Sequence, residues 1–318
     1  MSVTIGVDIG GTKIAAGVVS ATGEILARAR RDTPAHDPDQ IARDVAAVVA
    51  ELQAGRTDVR AIGVACAGFI DRTGSRVLFA PNLAWRDEPM KMRLEAIVDH
   101  PVTIENDANA AAWGEFRFGA AAEADDMVLV TVGTGIGGGV VVDSRLVRGG
   151  FGIAGELGHL RVVPDGIRCG CGNRGCWEVY ASGNALVREA RELVASGALQ
   201  GSAIAEACGG DLATLKGADI TNLAQAGDPA AIELIADLGR WVGEGVASVA
   251  AVLDPELIVI GGGVVAAGDL LLEPARAAYG RQLTGRGHRP VAPMVEASLG
   301  NDAGLIGVAA LAAEGVGA

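Results

Sequence analysis

His159, Cys169, Cys171 and Cys176 follow one another as H-x9-C-x-C-x4-C. One imidazole and three thiolates suit tetrahedral Zn²⁺, and four protein ligands leave no position open to water, so the pattern reads as a structural rather than a catalytic metal site. The glycines of Arg168-Cys-Gly-Cys-Gly-Asn-Arg-Gly-Cys176 allow the tight knuckles a metal requires. The alternatives are a Cys169/Cys171 redox pair or buried thiols; a C-x-C disulfide is strained, and so polar a loop does not suit apolar burial. Cys66 and Cys208 lie outside the pattern and read as ordinary thiols.

Carboxylates form the second group. In Glu105-Asn106-Asp107-Ala108-Asn109 an apolar strand pattern runs straight into a helix pattern. An Asp there is either an N-cap or a general base, since phosphoryl transfer to an alcohol needs a carboxylate to take the hydroxyl proton. Glu156 and His159, in Gly155-Glu-Leu-Gly-His159, and Glu178 after the last cysteine suit sugar hydroxyls; single charged surface groups are the plain alternative. His159 could serve both partners, one ring nitrogen on the metal and the other donating to a hydroxyl.

Glycine turns form the third. Gly10-Gly11-Thr12, followed by Lys13, offers converging backbone N–H groups to a phosphate. Asp8, at the strand end beside them, could hold Mg²⁺ through water. Gly133-Thr134-Gly135 and Gly261-Gly262-Gly263 repeat the theme. Any one of these could be an ordinary hairpin turn, whereas three together favour a nucleotide. Gly133 to Gly138 also satisfies G-x-G-x-x-G, but a strand pattern follows where the dinucleotide fingerprint needs a helix, and no Walker A loop is present.

The elements that must carry these groups are legible from periodicity. Thr4–Ile9, Ile14–Val19 and Glu24–Ala29 read as a three-stranded meander. Ile41, Val45, Val48, Val49 and Leu52 mark one face of a helix. Ala61–Ala67 and Val102–Glu105 read as strands, and Ala108–Phe116 as a helix. Val128–Val132, a glycine turn and Gly139–Val142 repeat the opening strand-turn-strand, which points to an internal duplication. A long helix over Ala230–Leu253, a strand over Leu257–Ile260 and a closing helix over Ala303–Ala313 complete the pattern. Two α/β halves, each with a glycine turn, imply a ligand in a cleft between them and a hinge near Gly114–Ala124.

A length of 318 residues suits two domains. Aromatics make up only 3%, so small aliphatics must do most of the packing, and the 47 glycines cluster in a few turns. A net charge of -13 argues against nucleic acid. Met1–Gly11 lacks a basic n-region and a cleavable apolar segment, and Val246–Val265 is interrupted by Asp254, Pro255 and Glu256. Neither a secretory signal nor a membrane span is expected, and a soluble cytoplasmic protein is.

In combination, Asp8-Ile-Gly-Gly-Thr-Lys13, Glu105-Asn-Asp-Ala-Asn109, Gly133-Thr-Gly135, Gly155-Glu-Leu-Gly-His159 and the cysteine cluster through Trp177-Glu178 resemble the ROK family of sugar kinases and repressors, and within it the bacterial glucokinases. The resemblance implies an actin-like, ribonuclease-H-like two-domain α/β fold: an N-terminal domain over about 1–118, rejoined by a C-terminal helix over about 301–318, and a larger domain over 119–300 carrying the zinc motif. It further implies Asp107 as catalytic base and Asn82, Asn106, Asp107, Glu156, His159 and Glu178 as sugar ligands. Asp8, Gly10, Gly11, Thr12, Lys13, Thr134, Gly135, Gly262 and Gly263 fall on the ATP side. It implies MgATP and glucose as substrates, structural zinc, and a homodimer or homotetramer. A kinase for N-acetylglucosamine, N-acetylmannosamine, mannose or fructose is the alternative. A sugar-sensing repressor is disfavoured, because such relatives carry a helix-turn-helix before the first strand and the motif here begins at Asp8.

Overall fold

The computed structural model describes residues 2–198 and 201–316. The opening meander forms as β1 (Val3–Ile9), β2 (Lys13–Ser20) and β3 (Ile25–Asp32), followed by α1 (Pro38–Gln53) and β4 (Val59–Cys66). Three short strands, β5 (Phe69–Ile70), β6 (Val77–Phe79) and β7 (Arg86–Glu88), make a small sheet of their own, and α2 (Met90–Glu95), β8 (Val102–Asn106) and α3 (Asp107–Phe118) follow. Next come β9 (Met127–Val132), β10 (Ile136–Val142) and β11 (Arg145–Leu146), then a 3-10 turn over Leu157–His159. Helices α4 (Glu178–Ala181), α5 (Gly183–Ala195), α6 (Ser202–Ala207), α7 (Gly217–Gln225) and α8 (Pro229–Leu253) lead to β12 (Leu257–Gly261). A 3-10 turn over Gly263–Ala267, α9 (Asp269–Gln282), β13 (Met294–Glu296) and α10 (Ala303–Gly315) close the chain.

Two units result. The first comprises the chain up to Leu129, Gly139–Gly155 and everything from Ala297 onward; the second comprises Val130–Gly138 and Glu156–Glu296. Residues 114–124, where the hinge was expected, lie in the first unit, and the chain passes from one unit to the other within β9 and β10. The duplication read from sequence reappears as strand order. One sheet runs β3-β2-β1-β4-β8 and the other β11-β10-β9-β12-β13. In the first, β1 pairs antiparallel with β2 and parallel with β4, and β4 pairs parallel with β8.

In the first unit β1 is covered on both faces, with Val3, Ile5, Val7 and Ile9 on one and Thr4, Gly6 and Asp8 on the other. The face of α1 bearing Ile41, Val45, Val48, Val49 and Leu52 is buried in one core with Ile5, Val7 and Val64. On the other face α10 lies so close to the sheet that only hydrogen fits beneath it. Gly6 and Gly63 pair across β1 and β4; a Cβ at Gly6 would sit 2.2 Å from the Leu305 carbonyl oxygen, and one at Gly63 would sit 2.1 Å from that of Val308. The second unit uses the same device between helices. Gly239 and Gly243 of α8 face α9, where added Cβ atoms would come 2.4 Å from the Leu271 oxygen and 2.1 Å from the Ala275 oxygen. Some of the glycine content is therefore close packing of helices rather than ligand turns. Among the described residues, no helix is long and apolar enough to cross a membrane.

Candidate active site and metal centre

In the first unit, parallel pairing of β1, β4 and β8 brings Asp8, Cys66 and Asn106 to one sheet end, since Ile9 pairs with Cys66 and Cys66 with Asn106. This is the carboxyl end of the parallel strands, where open α/β sheets gather ligands. Asn106, not Asp107, caps α3: its Oδ1 accepts from the Asn109 N–H at 3.0 Å, while its Nδ2 donates to the Gly68 carbonyl at 3.1 Å. That leaves Asp107 as the first helical residue, with its Oδ1 accepting from the Ala108 N–H at 2.9 Å.

Burial pushes the Asp107 carboxyl above the ordinary carboxylate value, partly opposed by the Ala108 N–H. Asp8 is pushed up to about 6, first by burial and then by the Asp107 charge, with Lys13 working the other way. Beside them the glycine turn is pinned: the Gly10 N–H donates to the Lys13 carbonyl at 2.9 Å, and the Thr33 hydroxyl donates to the Gly10 carbonyl at 2.8 Å. Asn82 is exposed and adjoins this turn, its Cβ lying 3.4 Å from where a Gly11 Cβ would stand.

In the second unit, the donor atoms of His159, Cys169, Cys171 and Cys176 all lie within 4.8 Å of one another. His159 Nδ1 is 3.7 Å from Cys169 Sγ, and Cys171 Sγ is 3.6 Å from Cys176 Sγ. Ligand–ligand separations of about 3.3–3.8 Å follow from tetrahedral bonds of ~2.0–2.3 Å, so one imidazole and three sulfurs at these spacings fit a zinc ion. The loop is fixed to the unit by Trp177, fully buried, whose Nε1 donates to the Trp241 carbonyl at 2.8 Å and whose ring lies over Gly245 of α8. Glu178 follows at once. Its Oε1 accepts from Cys169 Sγ at 2.9 Å and lies 3.6 Å from His159 Nδ1, while His159 Nε2 is 3.8 Å from Glu156 Oε2. Glu156, His159 and Glu178 are thus brought together, with Nδ1 beside Cys169 Sγ and Nε2 beside Glu156.

The same unit holds a cavity of about 1210 Å³, above the usual range of roughly 300–1,000 Å³ for small-molecule sites. Thr134 and Gly263 line it, together with Gly183, Asn184, Lys216 and Gln225. The first N–H groups of α5 donate to the glycine turn, from Gly183 to the Gly133 carbonyl at 2.7 Å and from Asn184 to Thr134 at 3.3 Å. Gly135 packs against Glu178, whose Oε2 lies 2.7 Å from where a Cβ would be. Gly262, at φ 89°, backs onto Val132. The strand after the turn is β10, so Gly133 to Gly138 is not a dinucleotide loop. The cavity residues of α5 and α7 carry no motif in the sequence; their one signal is the Ser182 N-cap opening α5. Sequence reading also passed over Arg148, which binds Glu105 from 43 positions away.

Paired sheets of a meander plus two parallel strands, with glycine turns at their ends, make this an actin-like ATPase fold. Residues 4–315 match the ROK family, and the chain belongs to that family. A glucokinase of Streptomyces coelicolor is 46% identical over 314 residues, spanning 99% of this chain and 98% of that protein. An N-acetylmannosamine kinase of Escherichia fergusonii is 36% identical over 313 residues, spanning 97% and 98%. The crystal structure of a ROK family glucokinase from Streptomyces griseus, in complex with glucose and AMPPNP, matches with a TM-score of 0.89 at 47% identity, covering 98% of this chain and 100% of that one.

Proposed function

We propose that the chain is an ATP-dependent hexose kinase that transfers the γ-phosphoryl group of MgATP to the 6-hydroxyl of glucose, giving glucose 6-phosphate. The observation that carries the mechanism is the assignment of the α3 cap to Asn106, which releases Asp107 for proton transfer at the end of β8. Asp107 takes the hydroxyl proton as the sugar oxygen bonds to phosphorus and the bond to the bridging oxygen of ADP breaks. A carboxyl raised by burial is the better matched base near neutral pH.

In the first unit, Gly10, Gly11, Thr12 and Lys13 serve the phosphates, and Asn82 and Asn106 the sugar. Asp8, an oxygen donor at a strand end, would hold Mg²⁺ through water, the ion's part being to neutralise phosphate charge. In the second unit, Thr134, Gly135, Gly262 and Gly263 serve the nucleotide beside the cavity and the positive end of α5. His159, Cys169, Cys171 and Cys176 would hold Zn²⁺ in a structural role. With Nδ1 on zinc, His159 Nε2 would carry the ring proton and would donate to a sugar hydroxyl beside Glu156 and Glu178. The protein is read as cytoplasmic and as a homodimer or homotetramer, which light scattering decides.

The test is Asp107→Asn. Glucose affinity is expected to stay within about threefold while turnover falls by roughly 10²–10⁴. Comparable turnover in the variant removes Asp107 as the base, and absence of ADP release from glucose by the unmodified protein removes the kinase reading.

A further inference from the structure

Two residues before Asp107 stands an anion that the mechanism above does not use. Glu105 is 3% exposed, and a buried carboxylate is tolerated only when paired and hydrogen-bonded. Its Oε1 accepts from the Asn106 N–H at 3.0 Å and from Asn109 Nδ2 at 3.1 Å, and its Oε2 accepts from Arg148 Nε at 2.7 Å. A neutral glutamine oxygen could accept the first two bonds equally well. Only the third, from an arginine 43 positions away, calls for charge.

Arg148 belongs to the segment between β11 and Gly155, which is seated on the first unit at several points. The Val147 N–H donates to Val140 at 2.8 Å, and the Ala154 N–H to Arg148 itself at 3.1 Å. Gly152 lies at φ 90° against the 70–72 backbone, where a Cβ would come 2.3 Å from the Ile70 oxygen. The same stretch of chain holds the other side of the turn, since Asn106 Nδ2 reaches the Gly68 carbonyl. Glu314, a further acid that Arg148 influences, is already paired with Arg117. The turn that carries Asp107 is therefore held just before it, where Glu105 accepts from the Asn106 N–H, and just after it, where Asn106 accepts from the Asn109 N–H, and Glu105 is in turn held by Arg148.

We propose that the Glu105–Arg148 pair positions Asp107: the segment 147–155 straps the β8–α3 turn through one ion pair and keeps the carboxylate aligned for proton transfer. The proposal rests on Asp107 being the base. Misplacing a reacting group by about 1 Å can cost ~10²-fold, so Arg148→Ala is expected to lower kcat by roughly 10–100-fold with KM for glucose and ATP changed by less than about threefold. Arg148→Lys should recover most of the loss, because a single N–H···O contact is all that needs replacing.

Removing Arg148 alone also leaves a buried charge, so a folding defect has to be separated from misalignment. The double variant Glu105→Gln/Arg148→Ala does this: Tm is expected to return towards that of the parent while kcat stays low. Recovery of kcat together with Tm in the double variant overturns the proposal, as does Arg148→Ala with kcat within threefold of the parent. Full turnover of Asp107→Asn is a different failure and overturns the base assignment instead.

Discussion

Asp107 and Asp8 share one sheet end, and their titration gives the site a pH signature. With its carboxyl raised by burial, Asp107 should put the acid limb of kcat/KM above the ordinary carboxylate range. For Asp8 the consequence is one of stability. Its pKa rises from 3.8 to about 6 on folding, so the folded protein holds this proton more tightly than the unfolded chain does. The resulting stabilisation is full below pH ~3.8 and lost as pH rises through about 6; charging the group at pH 8 costs about 2–3 kcal/mol. Asp8→Asn never charges, so without ligands it should melt above the parent at pH 8, with the gap narrowed to about half at pH 5. An equal gap at both pH values contradicts this. If the His159–Cys169–Cys171–Cys176 cluster holds zinc as proposed, Cys171→Ser should lose it, measured by elemental analysis, and weaken glucose binding by about 10–100-fold. Intact affinity in metal-free protein breaks the link through His159. The grouping of His159, Cys169, Cys171 and Cys176 was legible because these residues lie close together in sequence. The sequence places the cap of α3 at Asp107 or leaves it open, whereas the structure gives it to Asn106, and Arg148 gave no sequence signal at all.

At the scale of elements, glycine acts through close packing as well as through turns. At Gly63 the Val308 carbonyl lies where a side chain would begin, so Gly63→Ala should cost about 1–3 kcal/mol or more through overpacking. At Gly280, within α9, a Cβ meets nothing within 4 Å, and Gly280→Ala should be neutral or stabilise by up to about 1 kcal/mol. Urea melts of the two variants compare them directly; tolerance of Ala at position 63 would show that α10 does not seat on the sheet as described. Elements with long periodic patterns, such as α1, α8 and the β1–β3 meander, were legible in advance. Strands β5–β7 were not, since two or three residues carry no period, and α9 was masked by Pro274 inside it. Strand glycines were legible as glycines but not as contacts, because the helix residues that need them lie 299 positions from Gly6, at Leu305, and 245 from Gly63, at Val308.

Across the whole molecule, the repeat seen in two short strand-turn-strand stretches extends to five strands in each sheet. The sequence match was short because only the glycine turns have to keep their residues; the remaining strands need only to be apolar and of the right length. Family membership spans residues 4–315, while the choice of sugar rests on identity of 46% to a glucokinase against 36% to an N-acetylmannosamine kinase. The most direct measurement is therefore ADP release with MgATP over a panel of glucose, mannose, fructose, N-acetylglucosamine and N-acetylmannosamine. Glucose is expected to give the highest kcat/KM, by at least about tenfold, equivalent to ~1.4 kcal/mol of transition-state discrimination. An N-acetylated sugar leading the panel contradicts the account.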